Sequence, residues 1–136
     1  MTDRQLINLA EQASRNAYVP YSHFAVGAAL ECRDGTVFTG CNIENAAYTP
    51  TNCAERTAFF KAVSEGKREF RAICIVNENV NGEHDFCAPC GVCRQVMMEF
   101  CDPESFTVVL AKSSKEYRCY SLKELLPLGF GPDNLK

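Results

Sequence analysis

The alternation of apolar and polar positions divides the chain into short helices and strands. From Thr2 to about Ala17, Leu6, Ala10, Ala13 and Ala17 recur at helical spacing, and Thr2 with Gln5 forms a capping box; an amphipathic helix is predicted there. Tyr18-Val19-Pro20-Tyr21 ends it. Phe24 to Cys32 is an apolar run, Asp34-Gly35 follows, and Val37 to Cys41 returns, which predicts a hairpin. Residues 42–52, rich in Asn, Thr and Pro, read as a loop. Cys53 to about Glu65 reads as a helix with Gly66 as its C-terminal cap. Ala72 to Val76 is continuously apolar, as in a strand buried on both faces. After a long loop over 77–89, Cys90 to Phe100 reads as a helix, Phe106 to Leu110 as a strand and Glu116 to Tyr120 as an edge strand. Ser121 and Glu124 form a second capping box before a short helix stopped by Pro127.

Strand–helix–strand units imply right-handed crossovers and parallel pairing, and the hairpin adds an antiparallel strand. The expected class is α/β: a three-layer α/β/α arrangement with a mixed, mostly parallel five-stranded sheet covered on both faces. No repeat, low-complexity tract or linker interrupts the chain, so residues 1–136 are expected to form a single domain.

Composition narrows the setting. The formal net charge is −3 and the Lys and Arg residues are scattered, which argues against nucleic acid as a partner. No apolar stretch reaches membrane-spanning length, and Met1-Thr2-Asp3-Arg4-Gln5 lacks the apolar run of a signal peptide. The nine cysteines are an odd number and too few for a disulfide scaffold. A cytoplasmic chain is expected, away from membranes, with its cysteines as thiols and some available to a metal.

Two segments concentrate chemistry: Cys53-Ala54-Glu55-Arg56 and Pro89-Cys90-Gly91-Val92-Cys93. Each opens a predicted helix that follows a strand. If those strands run in the same sense, both helix N-termini emerge at one sheet edge, where open α/β sheets place their sites. Cys90 and Cys93 share a helix face, and Pro89 suits a helix start. Helix N-termini favour thiolate, the metal-binding form. Three thiolates leave the fourth position of a tetrahedral Zn²⁺ open for water, as in a catalytic site. Together they leave the metal with net charge −1, which two helix N-termini and Arg56 can offset; Arg94, beside Cys93, is a second candidate. Glu55, two residues from a ligand, is placed to work on water without binding the metal.

The three-cysteine form of the zinc nucleobase-deaminase signature is present. Five blocks in order resemble the cytidine deaminase family, specifically its short-chain, homotetrameric members. They are Tyr21 to Ala29, Gly40 to Ala46, Cys53 to Ala58, Pro89 to Gln95 and Glu124 to Pro127. The resemblance implies one Zn²⁺ per chain and hydrolysis of cytidine and deoxycytidine to uridine and deoxyuridine in pyrimidine salvage. In it, zinc-bound hydroxide attacks C4 and Glu55 shuttles the protons. It also implies that Phe24 packs on the base and that Asn42 and Glu44 bind the ribose hydroxyls. The backbone of Ala54 and Cys90 would hold the base's polar edge, and Phe130 and Tyr48 would contact a neighbouring subunit's site. Ala88 stands where relatives often have Ser, and Thr49-Pro50-Thr51 is a local variation.

Plainer readings exist for each residue. Phe24 at a strand start is ordinarily core, Asn42 and Glu44 are ordinarily turn residues, and Phe130 is ordinarily a docking residue. Cys90-x-x-Cys93 alone would suit a redox pair, but that leaves Cys53 and Glu55 without a purpose. Cys87 precedes Pro89, lies off the helix and reads as a bystander. Cys32, Cys41, Cys74, Cys101 and Cys119 read as small core or near-surface residues, and His23 and His84 are not needed as ligands. The alternatives kept are a deaminase of a cytosine-containing nucleoside antibiotic of the blasticidin S type, and a non-catalytic zinc-binding module, for which Glu55 would have no use.

Overall fold

The computed structural model describes residues 1–136. Its elements are α1 (Asp3–Ser14), β1 (Ala25–Cys32), β2 (Val37–Cys41), α2 (Ala54–Ser64), β3 (Phe70–Glu78), α3 (Gly91–Phe100), β4 (Thr107–Ser113), β5 (Glu116–Ser121) and α4 (Leu122–Leu125), with a short 3₁₀ turn over Pro132–Leu135. Both predicted capping boxes form, Thr2 with Gln5 and Ser121 with Glu124. Gly66 follows α2 at φ 92°, the left-handed conformation of a helix-ending glycine. No helix is long and apolar enough to cross a membrane.

Several boundaries differ from the sequence reading; β3 begins already at Phe70 and β4 runs on to Ser113. α1 ends at Ser14 rather than near Ala17, because Asn16 and Ala17 donate to carbonyls only three residues back and tighten the chain out of the α-helix. β3 continues to Glu78, into the stretch read as loop. Asn77 can stay in the strand, 2% exposed, because the following loop folds back onto it. Its side-chain oxygen accepts the Asp85 amide at 3.0 Å, and its carbonyl lies 2.8 Å from His84 Nδ1. The same loop is fastened further along, where Phe86 lies under the Arg118 guanidinium at 4.1 Å and the Lys112 amine at 5.0 Å.

The strand order is β2-β1-β3-β4-β5. The sheet is five-stranded and mixed, but the expectation of mostly parallel pairing is corrected: only β3 and β4 pair in parallel, and the other three pairings are antiparallel. β1 lies between β2 and β3 and runs against both, while β5 turns straight back on β4. Only the β3–α3–β4 unit joins adjacent strands through a helix. β2, β3 and β4 nevertheless point the same way, so α2 and α3 both start from one edge of the sheet.

The helices form two outer layers. α1 covers one face with Leu6, Ile7 and Ala10 against Ala29, Ala72, Cys74, Val76, Val109 and Ala111. On the other face, α2, α3 and α4 cover Ile73, Ile75, Val108 and Leu110, with Phe59 against the rings of Phe70, Phe100 and Phe106. β3 is buried on both sides, as its unbroken apolar run predicts. Glycine lets each helix sit close. A Cβ on Gly27 would strike the Ala10 carbonyl of α1, and one on Gly40 would strike the Ala54 carbonyl and approach the Ala58 nitrogen of α2 to 2.7 Å. The Gly40 contact fixes where the first turn of α2 rests.

Candidate active site

Cys53 and Cys90 are the N-cap residues of α2 and α3, the position that Ser, Thr, Asp or Asn ordinarily fills. Neither thiol caps the backbone N–H groups of its own helix. Both turn instead toward Cys93, one turn into α3. Cys53 Sγ lies 3.8 Å from Cys90 Sγ, and Cys90 Sγ lies 3.5 Å from Cys93 Sγ. All three sulfurs fall within 4.8 Å of one another. Tetrahedral zinc with Zn–S bonds near 2.3 Å needs sulfurs about 3.8 Å apart, so this donor set fits zinc.

The surroundings of Cys53 favour its thiolate. A hydrogen bond from Cys93, helped by Arg56 and Cys90, brings the Cys53 thiol down to about 5. The same bond and burial hold the Cys93 thiol up. Arg56 Nη2 donates to Cys53 Sγ at 3.2 Å. Burial opposes the Arg56 charge, but its bonds to Cys53 and Cys93 outweigh that cost and raise its pKa. Its Nε is buried without a partner. Arg94, the second candidate for this role, faces the other way, donating to the Pro89 and Leu125 carbonyls.

Glu55 lies in the first turn of α2 and is only 4% exposed. Burial pushes its carboxyl up to about 7, with the charge of Cys53 adding to the effect. A carboxyl that can both take and give a proton near neutral pH therefore stands beside the three sulfurs.

These groups close one end of a cleft of about 390 Å³. Phe24, Val26, Ala54 and Ala88 give it apolar walls, and Asn42 and Glu44 supply polar ones. Asn42 accepts the Val26 amide at 2.9 Å and donates to the Phe24 carbonyl at 2.8 Å, which fixes the start of β1 and leaves one amide hydrogen free. Glu44 accepts the amides of Tyr21 and Ser22 at 3.0 and 3.1 Å. The Ser22 hydroxyl and these amides hold its carboxyl below the usual range.

The structure thus brings together Cys53, Ala54, Glu55, Cys90, Phe24, Asn42 and Glu44, with Cys93 and Arg56 immediately behind. Phe130 and Tyr48 do not line this cleft. Phe130 is 57% exposed and Tyr48 75% exposed; Tyr48 borders a neighbouring hollow with Tyr21, Ser22 and Glu44. Ser22, Val26 and Ala88 line the cleft without a role in the sequence reading, and Cys87, read there as a bystander, lines it too. Cys87 reaches the cleft because the loop before α3 folds inward at Phe86, and burial pushes its thiol up to about 11. None of the nine cysteines is in a disulfide.

An α/β sheet with three thiols at two helix N-termini, a buried carboxyl and an open cleft defines a zinc-type hydrolytic enzyme site. Residues 1–109 match the family model described as the cytidine and deoxycytidylate deaminase zinc-binding region, and the chain belongs to that family. A cytidine deaminase of Sporosarcina psychrophila is 47% identical over 135 residues, covering 99% of this chain and 96% of that protein. A crystal structure of cytidine deaminase from Burkholderia pseudomallei is 49% identical, covers 96% of this chain and all of its own, and superposes with a TM-score of 0.87. A blasticidin-S deaminase of Bacillus cereus is more distant, 30% identical over 132 residues, covering 94% of this chain and 91% of that protein.

Proposed function

We propose that residues 1–136 form one catalytic domain that hydrolyses cytidine and deoxycytidine to uridine and deoxyuridine with release of ammonia. The observation that carries this reading is the buried Glu55 beside three sulfurs at zinc-fitting distances, in a cleft with one aromatic wall and two polar residues. Membership of the deaminase family and the similarity along nearly the whole chain to proteins named cytidine deaminase support it.

Cys53, Cys90 and Cys93 would hold one zinc, which supplies the Lewis acidity that makes water a nucleophile near neutral pH. Glu55 takes a proton from the attacking water and passes it to the ring N3, then takes the remaining proton from the hydroxyl added at C4 and gives it to the departing ammonia. Burial suits it to both tasks. Arg56 offsets the thiolate charge. Phe24 lies against the base, and the backbone N–H groups of Ala54 and Cys90 face its polar edge. The free amide hydrogen of Asn42 and the carboxylate of Glu44 bind the ribose hydroxyls. Phe130 and Tyr48, exposed and outside their own cleft, complete a neighbouring copy's site in a homotetramer. The enzyme works in pyrimidine salvage in the reducing cytoplasm, where its thiols persist.

Ammonia release from cytidine, deoxycytidine, cytosine, CMP, adenosine and blasticidin S tests the reading. Turnover of the first two and little of the others is expected. Preference for blasticidin S would replace it with the antibiotic-deaminase reading, and a zinc-loaded protein inert toward all six would leave a binding module.

A further inference from the structure

Arg94 bridges two parts of the fold that the zinc chemistry leaves unconnected. It sits in the first turns of α3, and its Nε donates to the Pro89 carbonyl at 2.7 Å while Nη1 donates to the Leu125 carbonyl. Both acceptors are otherwise spare. Pro89 is fully buried and lies just outside α3, and no backbone N–H reaches its carbonyl. Leu125 ends α4, whose last carbonyls have no donors within the helix. The next side chain, Gln95, donates through Nε2 to the Phe130 carbonyl at 2.8 Å. Two consecutive residues of α3 therefore hold the C-terminal segment to that helix, and Arg94 alone also ties it to the turn that presents Cys90.

We propose that Arg94 is a positioning residue for Cys90. Its planar fork fixes the Pro89 carbonyl against the end of α4, and with it the Cys90 backbone that follows directly. The inference rests on the reading of Cys53, Cys90 and Cys93 as zinc ligands. It places part of the metal site's support at Leu125, beyond residues 1–109 matched by the zinc-binding family model. Only a planar guanidinium meets both carbonyls at once; a lysine amine is a point charge on a flexible stem.

The test measures zinc transfer from the loaded protein to a chromogenic chelator. Arg94→Gln and Arg94→Lys are each expected to release zinc about tenfold faster than the parent, the scale seen when groups that orient metal ligands are removed. Arg94→Lys keeps the charge and serves where Arg94→Gln does not fold. Thr2→Ala removes the capping box of α1 on the opposite face of the sheet and controls for general loosening. It is expected to release zinc at the parental rate despite a lower unfolding midpoint. Parental release from both Arg94 variants, or release from Thr2→Ala as fast as theirs, overturns the proposal. A parent chain that holds no zinc overturns the zinc reading as well; a zinc-holding parent with indifferent Arg94 variants overturns this inference alone.

Discussion

At the scale of single residues, burial decides what Glu55 can do. An exposed carboxylate would stay ionised near neutral pH, whereas this one, 4% exposed, is pushed up to about 7. Glu55→Gln keeps the shape and removes the proton exchange. Turnover is expected to fall roughly 10²–10⁴-fold with one zinc per chain retained, checked by ammonia release and metal content. Undiminished turnover would show that Glu55 moves no proton. The Cys53-Ala54-Glu55 spacing makes this residue legible in the sequence, because a carboxylate two positions from an N-cap ligand must lie in the same helical turn. The direction of Arg94 was not legible. Adjacency to Cys93 placed it near the sulfurs, but the buried Pro89 carbonyl, which only the folded turn exposes to it, draws it away.

Among the elements, the seat of α2 on β2 sets the site. Cys53 and Glu55 ride on the first turn of that helix, and its depth is fixed where the missing Gly40 side chain lets the Ala54 carbonyl approach. Gly40→Ala must push backbone aside, so it is expected to cost about 1–3 kcal/mol and to lower zinc retention and turnover together. Gly66 gives the contrast. It holds φ at 92° with nothing within 4 Å of an added Cβ. Gly66→Ala is expected to cost about 1–2 kcal/mol through the left-handed backbone alone, with zinc and turnover unchanged. Urea unfolding alongside metal analysis distinguishes the two, and a Gly40→Ala protein with parental zinc and rate would remove this role from the α2 seat. Helices, capping boxes and the buried β3 were readable from periodicity, because each depends on neighbours in sequence. Strand direction was not, since nothing in the spacing of β1, β2 and β3 records that β1 lies between the other two. The site survived that difference because β2 and β3 still point the same way.

Across the whole molecule, two features act at a distance from the sulfurs. The first joins β1 to β3: Glu31, buried, accepts both arms of the Arg71 fork at 2.7 and 2.8 Å. The Arg71 hydrogen bonds hold its carboxyl below the ordinary 4.5. The folded chain therefore gives up this proton more readily than the unfolded one. Its stabilisation is complete above about pH 4.5 and fades as pH falls through the folded value. Glu31→Gln should flatten the loss of the urea midpoint below that pH, and equal slopes for variant and parent would exclude the pair as a source of acid lability. The second feature is the exposure of large apolar side chains, Phe130 among them with Phe60, Val92 and Leu128. Hydrophobic patterning does not say whose site an exposed Phe130 serves, because that depends on a second copy; only the family resemblance points to a neighbour. If it completes a neighbour's cleft, Phe130→Ala should keep its zinc and lose about ten- to hundredfold in kcat/KM, the worth of one buried aromatic contact. Mixing it with Glu55→Gln then separates the possibilities. In a shared site, Glu55 of one subunit meets Phe130 of the next, so co-refolded mixtures recover activity above the sum of the two variants. In self-contained sites every subunit lacks one group or the other, and the mixture gives the sum and no more.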